Sequence, residues 1–437
     1  MTYNETIEYL YDFAPMFHKI GSSAYKEGME NSFLIDSCLN HPHKKYKTIH
    51  VGGTNGKGST SHLLASVLQV AGYKVGLYTS PHLLDFRERV KINGEMISED
   101  YIVSFVDKYK DFFESIQPSF FELTTGMAFA YFAEQSVDIA IIEVGLGGRL
   151  DCTNVITPIL SIITNISLDH TNLLGETEEK IAKEKVGIIK PNTPAIIGEA
   201  EGEVRKIFQE TSDSVNGGNI VFTQDKNPIQ SSKLLPSSYW EFETHEYPEL
   251  IDELGGYAQE KNAATVLTAI DVLKNNRLLE IPPKAVYKGF RFVIENTGLM
   301  GRWQIIQYNP KIVLDTGHNK AGIEYIVQQL EKEQYEKLHI VFGMVNDKDF
   351  SSVLSLLPQS AEYYFTQPSI PRALDAELLK EQALKFGLNG KNYSAVETAF
   401  FAAKQAASKK DFIFVGGSTF VVADVLSFLL KSASCKF

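Results

Sequence analysis

Residues 47–70 read KTIHVGGTNGKGSTSHLLASVLQV, and this stretch decides the fold. Lys47–Gly53 is a short apolar run ending in glycines, the pattern of a buried strand. Ser59–Val70 carries apolar residues at helical spacing. Between them lie Gly52, Gly53, Thr54, Asn55, Gly56, Lys57, Gly58 and Ser59. Glycines let a backbone turn tightly and aim its N–H groups at phosphate oxygens. The helix behind the turn adds its positive end. Lys57 adds a movable cation for the outer phosphates. The loop departs from the common GxxxxGK[ST] form: Val51 stands where the first glycine would be, and Gly58 follows the lysine where a hydroxyl is usual. A magnesium-binding serine is therefore expected from elsewhere in the chain.

Outward from this unit the strand–helix rhythm repeats. Lys74–Tyr78, Val137–Val144, Pro158–Asn165 and Thr193–Gly198 read as strands; Phe120–Phe132 and Glu178–Lys185 read as helices. Glu5 to about Leu39 reads as helices broken at Gly21–Ser23. Apolar strands alternating with helices predict an α/β fold with a mostly parallel sheet covered on both faces. Asp213–Tyr247 is more polar and irregular, an insertion or a set of edge hairpins. Glu260–Leu273 is an amphipathic helix, and Asn296–Gly301 is the best linker. The rhythm then restarts: strands at Lys311–Leu314, Leu338–Phe342, Ala361–Thr366 and Asp411–Val415, helices at Ala321–Leu330, Asp375–Phe386, Thr398–Ala407 and Phe420–Leu430. The expected domains are 1–296, carrying the phosphate loop, and a smaller α/β domain, 297–437.

Composition narrows the function classes. Among 437 residues, 44% are hydrophobic and 22% charged, the balance of a globular chain. The net charge of -12 argues against a general nucleic-acid binder, though a few cations inside a cleft can still dominate locally. Cys38, Cys152 and Cys435 are odd in number and far apart, which fits a reducing compartment better than a disulfide framework. The first residues have acidic groups and no long apolar core, and no run of about 18 uncharged apolar residues occurs. The expectation is a cytoplasmic chain with no membrane partner.

Several further segments share one ordered wording with the phosphate loop. They are GTNGKGS (Gly53–Ser59), TSPHL (Thr79–Leu83), EVGLGGRLDCTN (Glu143–Asn154), SLDHTNLLG (Ser167–Gly175), IAKEKVGIIK (Ile181–Lys190), EKNAAT (Glu260–Thr265), GRWQ (Gly301–Gln304), LDTGHN (Leu314–Asn319), GMVNDKD (Gly343–Asp349) and FVGGSTF (Phe414–Phe420). The series resembles the folylpolyglutamate synthase and dihydrofolate synthase family, grouped with the Mur ligases of peptidoglycan synthesis. The resemblance implies an N-terminal P-loop domain and a Rossmann-like C-terminal domain, with the active site in the cleft between them. It also implies ATP and Mg2+ as cofactors, L-glutamate with a folate or dihydropteroate as substrates, and a monomer.

Site residues follow from the same resemblance. Lys57 would steady the transferring phosphoryl group. Ser80, Glu143 and His170 look like magnesium ligands; by itself Glu143 could equally be a capped structural residue, and His170 a satisfied hydrogen-bonder. Lys185 looks like the family's carbamylated lysine, a cation converted to a carboxylate-like anion that helps hold a second magnesium. Gly53 to Ser59, Asn262, Arg302, Asp315 and His318 look like nucleotide contacts, with Asp315 near the ribose. His82, Phe121, Thr125 and Asp151 fall in segments near the pterin pocket. Arg89 could face substrate carboxylates or pair with Glu88. Cys152 replaces the usual alanine of DATN, a small change in volume. Ser418 could bind the incoming glutamate or simply build a turn.

The implied reaction needs no enzyme nucleophile. The γ-phosphoryl group passes to a carboxylate, the amine of glutamate attacks the acyl phosphate, and phosphate leaves. Dual use of dihydropteroate and tetrahydrofolate is expected. A Mur-type ligase acting on UDP-muramoyl peptides is the competing enzyme class. A nucleotide-gated scaffold without catalysis would be expected to have lost Lys57, Glu143, His170 or Lys185.

Overall fold

The structure is a computed structural model that describes residues 1–14, 28–346 and 350–434. The expected break at Gly21–Ser23, the end of GMVNDKD and Cys435 lie outside the described residues. The chain divides into two compact units: Met1–Leu254 with Gln259–Leu299, and Gly255–Ala258 with Met300–Phe437.

The first unit is built on an eight-stranded sheet. Its strands are β1 (Lys47–Gly52), β2 (Val75–Tyr78), β3 (Val90–Ile92), β4 (Glu95–Met96), β5 (Ile139–Glu143), β6 (Leu160–Ile163), β7 (Ala195–Ile197) and β8 (Ile220–Phe222). Their spatial order is β4-β3-β2-β5-β1-β6-β7-β8. Strands β2 to β8 through the centre run parallel, whereas β3 and β4 are antiparallel to their neighbours. Every residue of β5 is buried, as is β1 after its first residue, because helices cover both faces. On one side, helices Glu99–Ile116 and Phe120–Glu134 share a core with Tyr78, Ala140 and Ile142. On the other, Ile181, Val204 and Phe208 lie on the helices Glu178–Lys185 and Gly202–Val215, the latter two packed with Ile163 and Ile197.

The polar stretch 213–247 resolves into edge structure. It supplies β8 at the sheet margin and a hairpin of β9 (Ile229–Leu234) and β10 (Trp240–Thr244), extended antiparallel by β11 (Leu250–Asp252). Along β10, Trp240, Phe242 and Thr244 are buried while Glu243 is exposed, the alternation of a one-sided sheet.

The second unit holds a six-stranded sheet of β12 (Gln304–Tyr308), β13 (Lys311–Leu314), β14 (Leu338–Phe342), β15 (Glu362–Thr366), β16 (Gly390–Tyr393) and β17 (Phe412–Gly416). The order is β12-β13-β17-β14-β15-β16; only β12 runs antiparallel. Among the described residues no helix is long and apolar enough to cross a membrane.

Candidate active site

The phosphate loop leaves the carboxyl end of β1, in the middle of its sheet, where ligands of parallel α/β folds collect. The helix begins at Lys57, two residues before the expected Ser59. Gly53 has φ +135, and a Cβ there would overlap Thr164 Oγ1; Gly56 has φ +82, and a Cβ would overlap Asn262 Oδ1. Both positions therefore require glycine. The cradle is also braced from beneath. Thr164 Oγ1 donates to the Asn55 carbonyl at 2.6 Å, the Asn165 carboxamide accepts from Asn55 N–H at 3.0 Å, and Thr54 Oγ1 donates to the Ser167 carbonyl at 3.1 Å. These braces follow β6; they had no assigned role in the sequence, although Asn165 and Ser167 fall inside quoted segments. We expect Gly53→Ala to cost about 2–4 kcal/mol of stability, from left-side backbone strain and overlap together. Urea denaturation reads that loss, and ATP binding should weaken with it; unchanged stability and affinity would mean the loop relaxes freely.

Two lysines face this loop. Lys57 Nζ donates to the Thr54 carbonyl at 3.1 Å, and Lys185 Nζ donates to the Gly53 carbonyl at 2.8 Å. Lys185 is buried, 4% exposed. Burial, and next the nearby Lys57 charge, bring its pKa down to about 7, with Asp169 and Asp151 opposing. The helix reading Glu178–Lys185 is met residue for residue, but Lys185 points inward rather than joining a solvated charge face.

Glu143 is the last residue of β5, and its Oε2 accepts from Ser80 N–H at 2.9 Å. The structure thus joins two of the expected metal ligands. His170 comes from the loop that follows the next strand in the chain. It lies beyond β6, at φ 50, starting the short helix Thr171–Leu174, with its Nε2 3.8 Å from Asp169 Oδ1. Asn262, on helix Tyr257–Asn275, places its amide against Gly56 and donates to Gln259 at 2.9 Å.

The residues expected near a pterin form a layered group. Phe121 stacks on Tyr78 with ring centroids 5.8 Å apart, and Tyr78 hydroxyl lies 3.1 Å from Thr125 Oγ1. Asp151 accepts from Leu146 and Thr153 backbone N–H groups, and burial pushes its carboxyl pKa up against those bonds. Its carboxylate therefore builds the turn around Cys152. Arg89 is hydrogen-bonded to His82. It is 1% exposed, its Nε donates to His82 Nδ1 at 2.7 Å, and it covers the Phe120 ring. Glu88 is occupied by the N–H groups of Leu83, Leu84 and Asp85. An arginine N–H can only donate, so His82 Nδ1 is the acceptor and its proton sits on Nε2. Burial and then Arg89 lower the His82 pKa to about 3, keeping the ring neutral.

In the second unit, Asp315 follows β13. It accepts from Trp303 N–H at 2.7 Å and Gly317 N–H at 2.8 Å, while burial raises its pKa. Arg302 donates to Thr316 and Gly301, and His318 Nδ1 donates to the Thr316 carbonyl at 3.0 Å. Ser418 follows the neighbouring strand β17, is buried, and accepts from Phe420 N–H at 3.2 Å. The four residues thus collect at the carboxyl ends of two adjacent parallel strands.

Residues 51–249 match the Mur ligase middle domain, and residues 301–419 match the Mur ligase, glutamate ligase domain. The dihydrofolate synthase/folylpolyglutamate synthase of Bacillus subtilis is 32% identical over 421 residues, 92% of this chain and 94% of its own. Escherichia coli FolC in complex with DHPP and ADP has a TM-score of 0.84 and 30% identity, over 99% of both chains. A bifunctional folylpolyglutamate synthase/dihydrofolate synthase with Mn, AMPPNP and L-glutamate bound has a TM-score of 0.82 and 30% identity, over 98% of both. The phosphate cradle and these matches define an ATP-dependent ligase of the Mur superfamily. Within it, the chain belongs to the folylpolyglutamate synthase and dihydrofolate synthase family.

Proposed function

We propose that this ligase joins L-glutamate to tetrahydrofolate and its polyglutamates, and also to dihydropteroate, through an acyl phosphate. The observation that carries the reading is the phosphate cradle, faced by two lysines and closed to any side chain at Gly53 and Gly56. The relatives bring the substrates: one is solved with ADP and DHPP, another with L-glutamate, AMPPNP and Mn.

The residues divide the work. Backbone N–H groups of Gly53–Ser59 and the helix start hold the nucleotide phosphates. Lys57 moves from the Thr54 carbonyl onto the γ-phosphoryl oxygens as charge shifts to them. Asn262 supports the nucleotide side; Arg302, Asp315 and His318 are assigned to the nucleotide as well. Phe121, Thr125, His82 and the Asp151 turn shape the pterin side. Ser418 is assigned to the incoming glutamate.

The donor set suits a hard divalent cation: Ser80 hydroxyl, Glu143 carboxylate and His170 imidazole, with Ser80 and Glu143 already joined. We read the metal as Mg2+, which when bound would neutralise phosphate charge and polarise the transferring group. Lys185 is read as the carbamylated lysine. Its neutral amine attacks carbon dioxide, a C–N bond forms, a C=O electron pair moves to oxygen and the amine proton leaves. The anion so made would be a further oxygen donor. The working state is taken as a monomer in the cytoplasm. Residues 1–296 are assigned to ATP binding and 297–437, read as Rossmann-like, to glutamate ligation; the two family models fall one on each side of that division.

Purified protein given dihydropteroate as sole acceptor tests the dual activity. ATP-dependent dihydrofolate is expected. Product from tetrahydrofolate alone would limit the chain to folate extension.

A further inference from the structure

We propose that Asp36, His41 and His43 form a second metal site, one for a zinc-class divalent transition ion. The three lie at the opposite end of β1 from the phosphate loop, and a six-residue strand spans about 20 Å. Asp36 sits near the end of helix Glu30–Cys38; His41 and His43 flank Pro42, which opens the turn Pro42–Lys45 leading into β1.

The donor atoms are already gathered. His41 Nδ1 is 2.6 Å from Asp36 Oδ2, and His43 Nε2 is 3.3 Å from Asp36 Oδ1. One donor atom from each of the three residues lies within 4.8 Å of the others. A tetrahedral ion with bonds near 2.0–2.1 Å sets its donors about 3.3 Å apart, so donors already within 4.8 Å of one another need side-chain adjustment and no backbone rearrangement to seat one. Two histidines hydrogen-bonded to a carboxylate would also explain the cluster. What that leaves unexplained is Asp36 Oδ1. It is buried on a residue 8% exposed, and it accepts no hydrogen bond of acceptable geometry. A buried carboxylate oxygen with only the poorly aligned His43 nitrogen beside it is costly, and a cation shared with that nitrogen would satisfy it. Two imidazoles and one carboxylate favour zinc, nickel or cobalt over magnesium or calcium. His41 is 45% exposed, leaving a route for the ion and a water in the remaining position. Once bound, the ion would clip the helix end to the turn that feeds β1.

The test uses untagged, chelator-stripped full chain, titrated with Co2+ in excess Mg2+. We expect a visible d–d absorption that saturates at one Co2+ per chain, is displaced by Zn2+, and persists in Glu143→Gln. H41Q should weaken Co2+ binding by about 100-fold while keeping ligase activity with Mg-ATP. H41Q is the main variant because His43 is buried and H43Q could fail to fold. No d–d absorption, or Co2+ binding that H41Q leaves unchanged or that Glu143→Gln abolishes, would overturn the site.

Discussion

Lys57→Met is expected to lower kcat/KM for ATP-dependent glutamylation by about 10³-fold, with most of the loss in kcat. The ammonium has one protein hydrogen bond at the loop, to the Thr54 carbonyl, so it can turn to phosphate at little cost. Its removal leaves charge on the transferring group uncompensated where the helix start and loop N–H groups alone remain. Lys57→Arg should restore little, because a planar guanidinium cannot replace a compact ammonium inside so close a cradle. The folded state should survive, as no core packing is removed. Steady-state kinetics beside thermal melts separate the two effects. A kcat within tenfold of the parent would remove Lys57 from the chemistry.

Lys185→Met is expected to have the second large effect, a fall of about 10²–10³-fold in kcat. A methionine fills the space of the buried stem, so the loss is chemical rather than a cavity. The amine is held on the Gly53 carbonyl, at the base of the cradle. If it carries a carbamate, stripping carbon dioxide should reduce activity of the parent and bicarbonate should restore it, while the variant responds to neither. A resonance from ¹³C-labelled carbon dioxide should appear in the parent alone. An unmodified ammonium at Lys185 in a good map with nucleotide and metal bound would exclude the carbamate.

The second effect depends on something the sequence shows poorly, the direction in which Lys185 points. In the run Lys183-Glu184-Lys185, spacing alone allows a solvated charge face; tertiary packing turns only the last lysine inward. The pairing of Arg89 was hidden for the same reason. Its neighbour Glu88 looked like a partner, yet three backbone N–H groups claim that carboxylate and leave Arg89 to His82. Buried parallel strands such as Lys311–Leu314 and Leu338–Phe342 were legible because burial on both faces leaves mostly apolar residues in a row. Short antiparallel strands were not. The β3–β4 turn even carries Asn93-Gly94 at φ 48 and φ 83, a strong hairpin signal that went unread. Helix Glu99–Ile116 was likewise missed, although Ser98 caps it and Ile102, Phe105, Val106 and Phe113 mark its buried face. The braces Thr164, Asn165 and Ser167 could be found only in space, since they come from a different strand end more than a hundred residues away. The phosphate loop was readable because one contiguous stretch makes it; the other residues assigned to the nucleotide, and those assigned to the pterin, come from separate segments.

The most direct measurement is product analysis by mass spectrometry with tetrahydrofolate, L-glutamate, ATP and Mg2+. The account predicts one added glutamyl group for each ADP and phosphate formed, with the new amide on the folate carboxylate. Preference for a UDP-muramoyl peptide as acceptor, or ATP cleaved to AMP and pyrophosphate, would contradict it.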